Sequence, residues 1–115
     1  MATLMRDRLE PGRPLYVEFS NEIWNGNYAA THRNYAAAQA EVAAGGSPLA
    51  WDGQQNPGYL AARRVAKRIK EIGDLFRSVY GDAAMMTRVR PVLASQAAQS
   101  SLLQQGLEFL EGVYG

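Results

Sequence analysis

The chain has 115 residues, 47% of them hydrophobic and 20% charged, with a net charge of +1 and no cysteine. That balance excludes a disordered chain, and it gives no electrostatic reason for a nucleic-acid or acidic-membrane partner. Without cysteine there is no disulfide framework and no thiolate metal site. No stretch approaches the roughly 20 apolar residues of a membrane span, and the N-terminus has no apolar signal core.

In chain order, Ala2 to Leu9 reads as the tail of an amphipathic helix closed by Pro11-Gly12. Residues 14 to 22 alternate as a strand, with Leu15, Val17 and Phe19 on one side and Tyr16, Glu18, Ser20 and Glu22 on the other. Residues 23 to 58 form a long loop insertion holding a short helix over His32 to Ala44, with Thr31 as its N-cap and Gly45 as its stop. Gly45-Gly46-Ser47-Pro48 and Asn56-Pro57-Gly58 are turn chemistry. A helix over Gly58 to Tyr80 follows, its apolar stripe made by Val65, Ile69, Ile72, Phe76 and Val79. Arg88 to Ser95 reads as a second strand, with Pro91 in conflict with a central position. Ser100 to Val113 reads as a last helix carrying Leu103, Leu107 and Leu110.

Helix–strand–long loop–helix–strand–helix is a βαβ unit, which implies parallel strands. The polar side of the first strand carries an aromatic ring, two carboxylates and a hydroxyl, then runs into Trp24, Asn25, Gly26 and Asn27. A strand reads this way when its polar face lines a barrel and its end opens into a binding site. The expected fold class is therefore α/β, a partial (β/α)8 TIM barrel: a closed barrel takes about 250 residues, and residues 1–115 form one segment of it. A fragment with parallel strands covered on too few faces is expected to be poorly stable alone. The competing reading is a small complete α/β domain that self-associates.

The segment Tyr16-Val17-Glu18-Phe19-Ser20-Asn21-Glu22-Ile23-Trp24-Asn25 resembles the fourth barrel strand of the clan A glycoside hydrolases, and its run from Glu18 to Asn25 resembles a group of large cellulase-like secreted proteins. The likeness covers roughly residues 3 to 114, the fourth and fifth strands of such a barrel. It implies that Glu22 is the general acid/base and that Asn21 holds the sugar 2-hydroxyl. It also implies a retaining cleavage of a β-linked polysaccharide by a secreted parent protein. The nucleophile would lie on a later strand, with the rest of the barrel downstream of Gly115. The same likeness places a Gln after the next strand, at Gln96.

From the residues themselves, Glu18 is a poor nucleophile, because four residues of strand put it about 13 Å from Glu22. Retaining glycosidases need about 5–5.5 Å. Asp52 could approach, though nothing in the pattern requires it. Glu18 is instead expected to pair with Arg90 (or Arg88) beneath the site, as a structural ion pair. Trp24 and Trp51 suit sugar stacking or loop packing, Asn25 extends the polar rim, and Gln96 faces a ligand or caps a helix. Tyr28, Tyr35 and Tyr59 read as loop packing. The lone His32 argues against a metal site, and no cofactor motif is present. The basic run Arg63 to Lys70 reads as a solvated helix face, with Lys67–Glu71 and Lys70–Asp74 as i,i+4 pairs. Carbohydrate is the expected partner, with neither nucleic acid nor membrane. Two other functions stay open: a carbohydrate-binding or pseudoenzyme barrel piece, and a small α/β interaction domain whose Asn-Glu is incidental.

Overall fold

Asn56 and Pro57 start the element on which everything else is assembled. In the computed structural model, which describes all 115 residues, Asn56 Oδ1 accepts from the amides of Gly58 (2.9 Å) and Tyr59 (3.2 Å). Pro57 occupies the first turn, where its missing N–H costs nothing. The resulting helix, α3, runs over Pro57–Tyr80 and ends at Gly81. The other helices are α1 (Ala2–Arg8), α2 (Ala29–Ala43) and α4 (Ser100–Tyr114). Two strands, β1 (Leu15–Glu18) and β2 (Val89–Val92), pair in parallel with Leu15 opposite Val89 and Glu18 opposite Val92.

The partial TIM barrel expected from the sequence is not what the chain builds. The structure is mostly helical: four helices and a sheet of only two four-residue strands. α2 and α4 pack on α3 and close a core around Ala38, Leu49, Leu60, Ala66 and Phe109. The apolar stripe of α3 thus finds helices, where a larger sheet was expected. Residues 23 to 58 are correspondingly less of a loop than their turn residues suggested, since α2 supplies the fully buried Ala38.

The strand reading fails for a local reason. β1 stops at Glu18, and Ser20 and Glu22 adopt left-handed φ values of +64° and +44°. Tyr16 and Glu18 are exposed, so the polar face meets solvent and lines no barrel. Pro91 is tolerated because parallel ladders use alternate residues. Leu15 N donates to Arg88 O (2.7 Å), which leaves Pro91 in the opposite parity, on the free edge of the sheet.

α4 also departs from expectation. Leu103 and Leu107 are exposed, while Gly106 and Phe109 face inward. Gly106 permits the approach: a Cβ there would stand 3.3 Å from Leu93 Cδ2 and 3.5 Å from Ala66 Cβ.

Only 16 of the 115 residues are buried, so the apolar core is thin and a polar clamp beside it carries weight. Arg63, read from the sequence as solvated, is 2% exposed. It spends all five N–H groups: two on Asp52 (2.7 Å each), two on Gln105 Oε1 (3.0 and 2.8 Å) and one on Leu49 O (2.9 Å). That one side chain ties the segment before α3 to α4. The expected Lys67–Glu71 (4.0 Å) and Lys70–Asp74 (2.6 Å) pairs lie on the outer face.

Candidate functional site

The turn after β1 is held by Asn25. Its amide N donates to Glu22 O (2.8 Å) and its Nδ2 to Glu22 Oε2 (2.9 Å). Its Oδ1 accepts from Asn27 N (3.0 Å), and its carbonyl accepts from the buried Thr31 Oγ1 (2.6 Å). Thr31 therefore pins the turn to α2 from inside the helix; the N-cap position is Tyr28. His32, exposed, shares a 2.8 Å hydrogen bond with Gly26 O and is no ligand in a cluster. Ile23 is buried and anchors the segment. Ser20 and Glu22, two non-glycine residues in the left-handed region, each cost on the order of 1–3 kcal/mol, and such strain concentrates at functional sites.

Ile23 and Trp24 form one wall of a pocket of about 120 Å³. Asn34 and Tyr35 of α2 form the next, Ala61 and Val65 of α3 the floor, and Ser95, Gln96 and Gln99 the polar rim before α4. Asn34 is not free for a ligand: its Nδ2 donates to Ala61 O (3.0 Å) and its Oδ1 accepts from Arg64 Nη1 (2.9 Å). Gln96 accepts at its backbone carbonyl from Gln99 N (3.1 Å), while its side chain makes no hydrogen bond within the protein. The carboxylate of Glu22 is not part of the lining; it sits in the adjoining turn with Asn25. Asn21 is exposed and unbonded.

Trp51 does not join this pocket. It is 51% exposed and its indole covers Gly112, with ring carbons 2.7 to 3.2 Å from where a Cβ would be. Asp52 is likewise committed elsewhere: the hydrogen bonds from Arg63, above all, hold its carboxyl at about 2, below the ordinary carboxylate range. The expected Glu18–Arg90 ion pair is absent. The register sets Arg90 opposite Tyr16, so its Nη1 donates to Tyr16 Oη (2.8 Å) with the guanidinium 5.5 Å from the ring centre. Glu18, in solvent, has no desolvation cost that would demand a partner. Arg88 is also turned away, donating to the carbonyls of Glu10 and Leu9.

Tyr35, Ser95 and Gln99 also line this pocket, and the sequence pattern does not single them out for a ligand. Tyr35 follows Asn34 on the inner face of α2, a hint that helical phase could have supplied. Ser95 and Gln99 follow β2 without regular structure, and no periodicity marks them. Comparisons with known protein families, with curated proteins and with solved structures find no match to this chain.

Proposed function

We propose that the chain carries the acid/base half of a glycoside-hydrolase site for a β-linked polysaccharide. One sugar ring sits in the pocket between Trp24 and Gln96. One observation supports this above others: Trp24 and Gln96, far apart in the chain, meet across a small pocket whose wall continues into the strained turn holding Glu22. Trp24 offers an apolar face matched to the C–H face of a pyranose. Tyr35, Ser95, Gln96 and Gln99 offer hydroxyl and amide groups for its hydroxyls. A volume of about 120 Å³ lies below the roughly 300–1,000 Å³ typical of drug-sized ligand sites, so the pocket has room for at most one ring and the rest of the saccharide lies outside.

Glu22 protonates the departing glycosidic oxygen and then takes a proton from the incoming water, a role worth about 10²–10⁴ in rate. Asn25 holds Oε2, leaving Oε1 for the transfer. Asn21, exposed with a free amide, takes the 2-hydroxyl. The mechanism needs a second carboxylate, about 5–5.5 Å away in retaining enzymes. With Asp52 held by Arg63, that group comes from protein outside these 115 residues. The same commitment of Asp52 favours a second reading, carbohydrate binding without turnover.

An oligosaccharide with an epoxide at its reducing end separates these readings, because the epoxide esterifies a carboxylate beside the bound ring. Labelling confined to Glu22 and suppressed by excess plain oligosaccharide is expected. Binding with no label on Glu22 would leave a binding-only site. Label spread over exposed carboxylates such as Glu18 and Glu111, indifferent to competitor, would contradict both.

A further inference from the structure

A second cavity, of about 320 Å³, adjoins the first, and Ile23 and Asn34 line both. Phe19 and Ser20 come to it from the turn after β1, Arg33 and Ala37 from α2, and Arg64 from α3. The lining holds two guanidinium groups and no carboxylate. Arg33 makes no ion pair or hydrogen bond. Arg64, 20% exposed, spends Nη1 on Asn34 Oδ1, while its buried Nε has no hydrogen-bond partner. That Nε faces Glu41 Oε2 at 3.9 Å, a long ion pair, while Lys67 and Ser47 Oγ (3.1 Å) take Glu41 Oε1. Lys67 and Arg68 share Glu71, so Arg33, Arg64, Lys67 and Arg68 face only two carboxylates, Glu41 and Glu71.

Arg33 and the Nη2 group of Arg64 thus bring unbonded N–H donors to the cavity, and the planar fork of arginine matches a carboxylate in two parallel bonds. Phe19 gives the same cavity an apolar side, its ring 5.7 Å from the Arg68 guanidinium. The space thus suits a negatively charged group carried on a ring-sized body next to the first pocket.

We infer that this cavity takes the carboxylate of an acidic sugar unit, a uronate, in the same saccharide chain whose neighbouring ring fills the Trp24 pocket. Arg33 and Arg64 grip the carboxylate, and Ser20 Oγ stands at its edge. The inference rests on the carbohydrate reading for its sugar and on the two arginines for its charge.

The test is an NMR titration, following the Arg64 Nε–Hε and backbone amide signals. The probes are a β-linked glucose tetramer, its counterpart oxidised to glucuronate at C6, and acetate. The oxidised tetramer should bind about tenfold or more tighter than the neutral one, as charge-assisted hydrogen bonds do, and should shift Arg64 Nε–Hε. Arg33→Gln, on an exposed side chain, should remove that advantage, bringing the ratio of the two affinities close to one. Equal binding of the two tetramers, or an advantage that survives Arg33→Gln, would overturn the inference alone. Acetate shifting Arg64 as strongly as the oxidised tetramer, with the neutral one silent, would overturn the carbohydrate reading and the inference with it.

Discussion

Removing the Asp52 carboxylate should destabilise the fold more than a partly exposed acidic side chain ordinarily does. Asp52→Ala strips two 2.7 Å hydrogen bonds from a guanidinium that is 2% exposed, leaving Gln105 Oε1 and Leu49 O to hold it. Breaking a fully buried pair costs about 3–5 kcal/mol. Here the Asp52 side chain is 35% exposed, so solvent screens the pair and water enters the vacated space, which lowers the expectation to about 2–3 kcal/mol. A domain of this length has roughly 6–17 kcal/mol of stability in all, and each 1 kcal/mol moves Tm by about 4 °C. Thermal and urea unfolding followed by circular dichroism should show a fall of about 8–12 °C and a lower midpoint with unchanged m. The folded carboxyl, at about 2, lies below its unfolded value, so its contribution is complete above about pH 4 and is lost as pH falls towards 2. The gap between wild type and Asp52→Ala should therefore narrow from pH 5 to pH 2. A fall of under about 3 °C at pH 7, or a gap that does not change with pH, would refute the clamp.

The strained turn gives a test of the opposite sign. Ser20→Gly should stabilise by about 0.5–1 kcal/mol, because the left-handed conformation costs other residues about 1–2 kcal/mol. Glu22→Gly should also gain stability in urea unfolding while losing epoxide labelling, the trade expected where a carboxylate is held for function. Gly106→Val should cost about 1–3 kcal/mol by overpacking Leu93 and Ala66, read from the urea midpoint. Trp24→Ala should weaken oligosaccharide binding by calorimetry about tenfold, on the order of one lost aromatic-face contact, whereas Trp51→Ala should leave it unchanged.

Much of the element order was legible because it depends on local pattern. The stripe through Val65, Ile69 and Phe76 marks α3, Gly45 and Gly81 mark helix ends, and a long helical crossover requires parallel strands. The architecture was not, because Tyr16-Val17-Glu18 alternates identically whether its polar face meets a barrel interior or water. Nothing in Ser20 or Glu22 announces a left-handed φ, so the alternating pattern runs four residues past the end of β1. Arg63 looked solvated because its partners, Asp52 and Gln105, come from segments that only tertiary packing brings to it. Leu103 and Leu107 outrank Gly106 on hydropathy, yet close helix approach puts the glycine inside. Of the candidate site, Trp24 and Gln96 were named from the sequence and line one pocket, while Trp51 was drawn away by Gly112. Glu18 and Arg90 were separated by a register no local pattern specifies.

The most direct measurement is a heteronuclear NMR titration of the whole chain with a β-linked oligosaccharide, watching the two indole N–H and the glutamine side-chain signals. Carbohydrate in the Trp24 pocket predicts saturable shifts at the Trp24 indole and the Gln96 and Gln99 side chains, with Trp51 unmoved. No shifts up to millimolar ligand, or shifts confined to Trp51, would contradict it.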